Sequence, residues 1–128
     1  MIQTLVIHGT LPGLNQLLEA NRYRGPAGRH KQRWNGYANM KRQWGDAIYW
    51  QAVQELKPMK AAHLHYIWIE KDRRRDPDGF TAGGRKIILD SLVRAGILPD
   101  DSMKYILSQS DVWEVDAARA GVIVRLES

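Results

Sequence analysis

The sequence predicts a small single domain of the α/β (α+β) class, a mixed β-sheet packed with two or three helices. Three observations predict it. Residues 2–8 (IQTLVIH) are apolar and β-branched, the composition of a strand. Residues 33–56 keep apolar side chains at spacings of three and four, the period of a helix with one buried face. Residues 61–70 (AAHLHYIWIE) return to aromatic and β-branched residues, and another helical stretch and two strand-like runs follow. The order is β-α-α-β-α-β-β, and 128 residues can bury one core, so residues 1–128 are predicted to form one domain.

The elements follow in turn. After the first strand come two Gly-Pro-type turn clusters, with a short helix over residues 14–20 where Leu14, Leu17 and Leu18 share a face. Residues 23–32 read as an exposed basic loop. In the long helix Trp34, Tyr37, Met40 and Trp44 begin an apolar stripe that Ala47, Ile48, Ala52 and Val53 continue, and Lys57-Pro58 ends it. Its aromatics read as core. His63 and His65 fall on one face of the next strand; they are either half-buried, hydrogen-bonded histidines or part of a zinc site, which would need further ligands. A charged turn, KDRRRDPDGFTAGG, leads to a helix over residues 85–95 with Ile88, Leu89, Leu92 and Val93 inward and Gly96 as its C′ stop. Pro99 and the paired acids 100–101 mark a turn, and residues 104–115 and 121–127 read as final strands, expected as an antiparallel pair.

Composition narrows the function. Apolar residues make up 44% and charged residues 26%, ordinary for a globular protein, and there is no internal repeat. No apolar run approaches the roughly 20 residues of a membrane span, so no membrane association is expected. The N-terminus lacks a basic n-region and reads as a strand, not a signal peptide. The absence of cysteine excludes disulfides, a thiolate zinc site and a cysteine nucleophile, and fits a reducing cytoplasm. A net charge of +5 favours a polyanionic partner.

The stretch with chemistry in it is Arg73-Arg74-Arg75-Asp76-Pro77-Asp78. Carboxylates two apart on an extended segment point to opposite faces, but a Pro77 turn at a strand end brings both toward one point. Facing carboxylates repel unless a cation lies between them, which suggests Mg²⁺ held by carboxylates and water. Alternatively, the aspartates serve the turn's own hydrogen bonds. Asp100-Asp101 is the other acidic pair, and the loop after the helix is expected to return it near the first. Arg73, Arg74 and Arg75 would draw a phosphodiester toward the metal, or form a solvated turn. Lys86 would steady charge at a scissile phosphate, or pair with Asp90 one helical turn away.

Arg74-Arg75-Asp76-Pro77-Asp78, followed by Lys86-Ile-Ile-Leu-Asp90-Ser-Leu-Val-Arg-Ala-Gly96-Ile-Leu-Pro-Asp100-Asp101, resembles the RusA family of Holliday-junction resolvases. That family has an Arg-Arg-Asp-x-Asp turn, a helix with Lys and Asp four apart, an Ala-Gly helix end and an Asp-Asp pair. The resemblance covers residues 64–106, with a weaker echo in Leu11-Pro12 and Asn21-Arg22-Tyr23. It implies a RusA-like endonuclease domain that works as a homodimer with Mg²⁺ or Mn²⁺, nicking opposing strands of a four-way junction in DNA recombination and repair, in a bacterial or phage-infected cell. Asp76, Asp78 and Asp101 would be the catalytic, metal-binding aspartates and Lys86 the catalytic lysine, with Asp90 and Asp100 in support. Arg73, Arg74, Arg75, Arg22, Arg24, Arg29, Lys31 and Arg33 would bind the DNA arms. Two departures stand out: Gly79 replaces the family's usual Asn, and residues 80–84 lengthen what reads as a mobile link to the Lys86 helix. A branched-DNA-binding protein with weak or no catalysis is the alternative.

Overall fold

The computed structural model describes residues 1–13, 16 and 30–128, and of residues 30–37 the backbone alone. Four strands and two α-helices are described: β1 (Ile2–His8), α1 (His30–Glu55), β2 (Ala62–Glu70), α2 (Pro77–Arg94), β3 (Ile106–Val115) and β4 (Gly121–Glu127), with a 3-10 turn at Ala117–Arg119 before β4. The strands form one mixed sheet in the order β1-β4-β2-β3. This is the α+β domain expected. The short helix at 14–20 and most of the basic loop at 23–32 lie outside the described residues; residues 30–32 already belong to α1.

The topology decides where the site can be. β4 runs antiparallel to both β1 and β2, so β1 and β2 are parallel with β4 inserted between them. β2 and β3 pair in parallel, joined by α2. Both helices are therefore crossovers between parallel strands, which a tight turn cannot connect. The expected β3–β4 hairpin is not formed. β4 instead takes the central slot, where Val122, Val124 and Leu126 are buried on the face they share with Leu5 and Ile7 of β1 and Leu64, Tyr66 and Trp68 of β2. A hairpin with β3 would leave that row at the rim of the sheet. β3 has only Ile106 and Asp111 half-buried, as suits an edge strand.

Ile48 and Ala52 of α1 and Ile87, Ile88 and Leu92 of α2 complete the same cluster. In α1 the inward row is Met40, Trp44, Ile48 and Ala52, at a spacing of four. Ala47 and Val53, expected on that stripe, are exposed, because neighbours in a helix are turned about 100° apart. His63 and His65 face away from the helices. Their Nδ1 atoms lie 2.7 and 2.6 Å from the Ser108 and Ser110 hydroxyls, so the hydrogen-bonded alternative is the one found.

α2 differs most from expectation. It begins at Pro77, not at residue 85, so residues 80–84 are its second turn and not a mobile link. Pro77 supplies a helical φ at the first position, where its missing N–H costs nothing. Thr81 Oγ1 donates to the Pro77 carbonyl at 2.8 Å. Gly84 is the residue whose composition suggests a loop and whose packing requires a helix: a Cβ there would stand 2.5 Å from the Trp68 ring. The helix gives up roughly 1 kcal/mol of propensity at such a glycine and gains the close approach of α2 to β2.

The other end of α2 is as predicted. Gly96 adopts φ +74°, its N–H donates to Val93 O at 3.0 Å, and the Ile97 N–H donates to Leu92 O at 2.9 Å. These are the two bonds of a Schellman stop. Nothing lies within 4 Å of a Cβ placed on Gly96, so Gly96→Ala tests the backbone alone. It is expected to lower stability by about 1 kcal/mol, the left-handed penalty of an L-residue, read as a lower urea midpoint at unchanged slope.

Candidate functional site

β2 ends at Glu70, and six residues later the chain enters α2 through Asp76, Pro77 and Asp78. The turn between is held by Arg75. Its Nε and Nη2 donate to the two oxygens of Glu70 at 2.7 and 3.0 Å, and its Nη1 donates to Leu11 O at 2.8 Å and Gln16 Oε1 at 2.9 Å. The guanidinium also lies 5.5 Å from the centre of the Phe80 ring. Glu70 is 7% exposed. A carboxylate so buried needs charge-assisted partners, and a planar two-pronged donor provides them. Arg75 therefore ties the end of β2, the segment after β1 and the start of α2 together. Arg75 is expected from the sequence to bind DNA; in the structure its donors are engaged inside the protein.

Arg73 and Arg74 are different. Both are exposed; the Arg74 side chain is 89% accessible, and its backbone N–H donates to Asp72 Oδ1 at 3.0 Å. Asp76 sits at the N-cap of α2 but makes no capping bond through its side chain, and Asp78 lies in the first turn. Both carboxylates are exposed, and among the described residues neither has a hydrogen-bond or ion-pair partner. The alternative in which the aspartates hold the turn by their own side chains is thus filled by Asp72, not by Asp76 or Asp78. Gly79 leaves room beside Asp76: a Cβ there would stand 3.7 Å from Asp76 Oδ2.

Asp100 and Asp101 are exposed in the turn that leads from α2 into β3. This is the wrong end of the sheet. β2 and β3 are parallel and aligned, Ala62 beside Ile106 and Glu70 beside Val115. Asp101 precedes Ile106 and so lies at the start of the strands, whereas Asp76 and Asp78 lie beyond their ends. The 18 residues of α2 separate the two turns, roughly 27 Å at 1.5 Å per residue. The expectation that Asp76, Asp78 and Asp101 converge within one chain is corrected by this crossover. Among the described residues no three acidic or histidine side chains lie close enough to share a metal ion.

Lys86 also points elsewhere. About 12 Å of helix rise separates it from Asp78, and its Nζ lies 3.5 Å from Asp90 Oδ1, while Asp90 Oδ2 meets Lys41 Nζ at 2.9 Å. The i,i+4 pair is the alternative realised. Asp90 thereby links α2 to α1, as does Arg94 with Asp46 at 2.6 Å. Lys31 and Arg33 lie in the opening turns of α1, where the backbone alone is described, and Arg22, Arg24 and Arg29 lie outside the described residues.

A cleft of about 410 Å³ opens beside the Asp76–Asp78 turn, with Arg73, Pro77 and Phe80 on one side and Trp113 and Val115 of β3 on the other. Behind it runs a polar relay under the sheet. The Trp68 indole donates to Asp111 Oδ1 at 2.8 Å, Arg85 meets Asp111 Oδ2 at 3.2 Å, and the Tyr66 hydroxyl donates to Gln109 at 2.7 Å. Burial raises the Tyr66 pKa far above the ordinary phenol range, with Arg85 opposing and Asp111 adding to the shift. Tyr66 is thus a neutral donor at any physiological pH. Sequence reasoning missed Trp113 and Asp111. Both sit on a strand whose parallel pairing with β2 was not foreseen, and that pairing is what brings Trp113 to the cleft and Asp111 to the Trp68 indole.

The fold and this site define an α+β domain whose strand-to-helix turn presents two carboxylates, unpaired among the described residues, beside two exposed arginines. No protein-family model matches the sequence, and no curated protein matches it.

Proposed function

We propose that the protein is a Mg²⁺-dependent endonuclease for branched DNA that acts as a symmetric homodimer, each site combining Asp76 and Asp78 of one copy with Asp100–Asp101 of the other. The observation that carries this reading is the pair of exposed carboxylates at the start of α2, without a partner among the described residues and next to Arg73 and Arg74. Hard oxygen donors of this kind suit Mg²⁺ or Mn²⁺, and net charge +5 suits a polyanionic substrate. Two carboxylates from one chain are a partial ligand set. A two-fold axis perpendicular to the strands reverses their direction in the second copy. It therefore brings Asp101 of the partner subunit to the same end as Asp76 and Asp78, which no folding of a single crossover can do.

In this reading Asp76 and Asp78 would hold the metal. Arg73 and Arg74 bind the flanking phosphates. A metal bound there would supply Lewis-acid chemistry for phosphodiester hydrolysis. Arg75 keeps the turn in shape through Glu70. Lys86 contributes to the α1–α2 junction and has no part in the cut.

The test is cleavage of a four-way junction with Mg²⁺ or Mn²⁺ by the wild type and by Asp78→Asn. Loss of at least a hundredfold in rate, with junction binding retained, is the expected result; equal rates discard the assignment. The separation of Asp101 from Asp76 within one chain also favours a second reading, a branched-DNA-binding protein without catalysis. Salt-sensitive junction binding with no cutting in either metal would select it.

A further inference from the structure

We infer that Trp113 is a stacking platform for an unpaired nucleobase, placed to hold a base splayed out of the duplex beside the Asp76–Asp78 turn. The inference rests on the nucleic-acid reading above and adds to it a determinant of substrate shape. Trp113 lies on β3 opposite Trp68 of β2, on the side of the sheet that the helices cover. Trp113 is nonetheless 56% exposed. From α2, Phe80, itself 3% exposed, meets Trp113 edge-to-face at 6.3 Å and 84°. Phe80 is wedged in turn against Trp68 at 5.8 Å and under the Arg75 guanidinium. The indole is thus braced by a buried ring on one side and borders the cleft of about 410 Å³ on the other.

The cleft suits a nucleotide more than an apolar side chain. Arg73 lines it, is exposed, and has no partner among the described residues. The acids around it are engaged: Glu70 by Arg75, Asp72 by the Arg74 N–H, and Glu114 by Arg119 at 3.1 Å. A flat π-face beside a free guanidinium matches a base with its own phosphate, the combination that single-strand-binding sites use without sequence preference. A base in intact duplex keeps its faces stacked on its neighbours and cannot use the indole. Trp113 would therefore favour branch points, bulges and single strands over duplex, while Asp76 and Asp78 at the cleft's edge address the phosphodiester next to the displaced base.

The experiment titrates wild type, Trp113→Leu and Trp113→Phe with a four-way junction, a short single-stranded oligothymidylate and a duplex of equal length, following intrinsic tryptophan fluorescence and binding. Wild type is expected to be quenched by the junction and the single strand and not by the duplex. Trp113→Leu loses that quenching and binds both about tenfold more weakly, with duplex binding unchanged. Trp113→Phe keeps most of the affinity, because a phenyl ring still stacks. Equal affinities for all three proteins, or equal quenching by duplex, overturn the inference while leaving the endonuclease reading intact. Failure of the wild type to bind any of the DNAs overturns both. A change in subunit assembly on Trp113→Leu, with base-dependent quenching absent in the wild type, overturns it in favour of a protein contact.

Discussion

Mixing Asp78→Asn protein with Asp101→Asn protein is expected to restore junction nicking that neither variant has alone. Each homodimer would carry the same lesion in both of its sites. In a mixed dimer the two lesions fall together in one site, and the other combines an intact Asp76–Asp78 turn with an intact Asp101. If subunits assort at random, about half of the dimers are mixed and each has one working site, so nicking should recover to about a quarter of the wild-type rate. A mixed dimer cuts one strand and not two, so the product is a nicked junction and not a pair of resolved duplexes. The recovery must appear only after subunit exchange or co-expression. A site contained within one chain gives a different result, because every site in every mixed dimer then lacks one carboxylate and no mixing helps. Asp101→Asn protein that cuts normally by itself removes Asp101 from the site. Mixed dimers that form, shown by two tags, and remain inactive remove the shared site altogether.

That experiment matters because the sequence is silent on which end of the sheet a turn occupies. Three short motifs with the right residues and spacing suggest one metal centre, yet spacing along the chain says nothing about strand direction. The direction follows from the parallel pairing of β3 with β2, which obliges α2 to carry the chain from one end of the sheet to the other. The strand runs at 2–8, 61–70, 104–115 and 121–127 were legible from composition to within a few residues, because a buried row of β-branched and aromatic side chains is a local signal. Which strands pair was not, because pairing is a competition among distant segments. The glycine-rich start of α2 was misread for a related reason. Gly83 and Gly84 argue for a loop on propensity, and the Trp68 ring, sixteen residues before Gly84 in sequence and touching in space, explains Gly84. Gly96, whose role is set within its own turn, was read correctly.

The candidate site shows the same division. Asp76 and Asp78 stand out from local chemistry, and among the described residues both are unpaired at a strand-to-helix turn. The three arginines before them look alike in the sequence. The structure separates them by the acid each meets: Arg75 by the buried Glu70, Arg74 by a loose 3.8 Å approach to Asp72, and Arg73 by none among the described residues. That separation makes distinct expectations. Arg73 and Arg74 bear on phosphate contacts, and losing either should reduce the salt dependence of DNA binding by roughly one counterion. Arg75 bears on the fold.

Arg75→Ala is accordingly expected to destabilise the protein by about 3 kcal/mol, near the lower end of the cost of breaking a buried ion pair because the arginine is itself partly accessible. For a domain of this size that corresponds to a fall in Tm of about 10 °C. The loss comes less from the missing attraction than from what remains: the Glu70 carboxyl, at 7% exposure, would lose both of its arginine donors, and the Leu11 carbonyl would lose its partner. Glu70→Gln in the Arg75→Ala background removes the stranded carboxyl, so the double variant should be more stable than Arg75→Ala alone, a non-additivity that two independent surface residues would not show. Cleavage should fall with Arg75→Ala as well, since the turn that carries Asp76 loses its tie to β2. The slope of DNA affinity against salt should stay as it is in the wild type. If instead Arg75→Ala leaves the Tm unchanged and flattens that slope, then Arg75 contacts phosphate, the Glu70 pair is dispensable, and the turn is held by something other than this guanidinium.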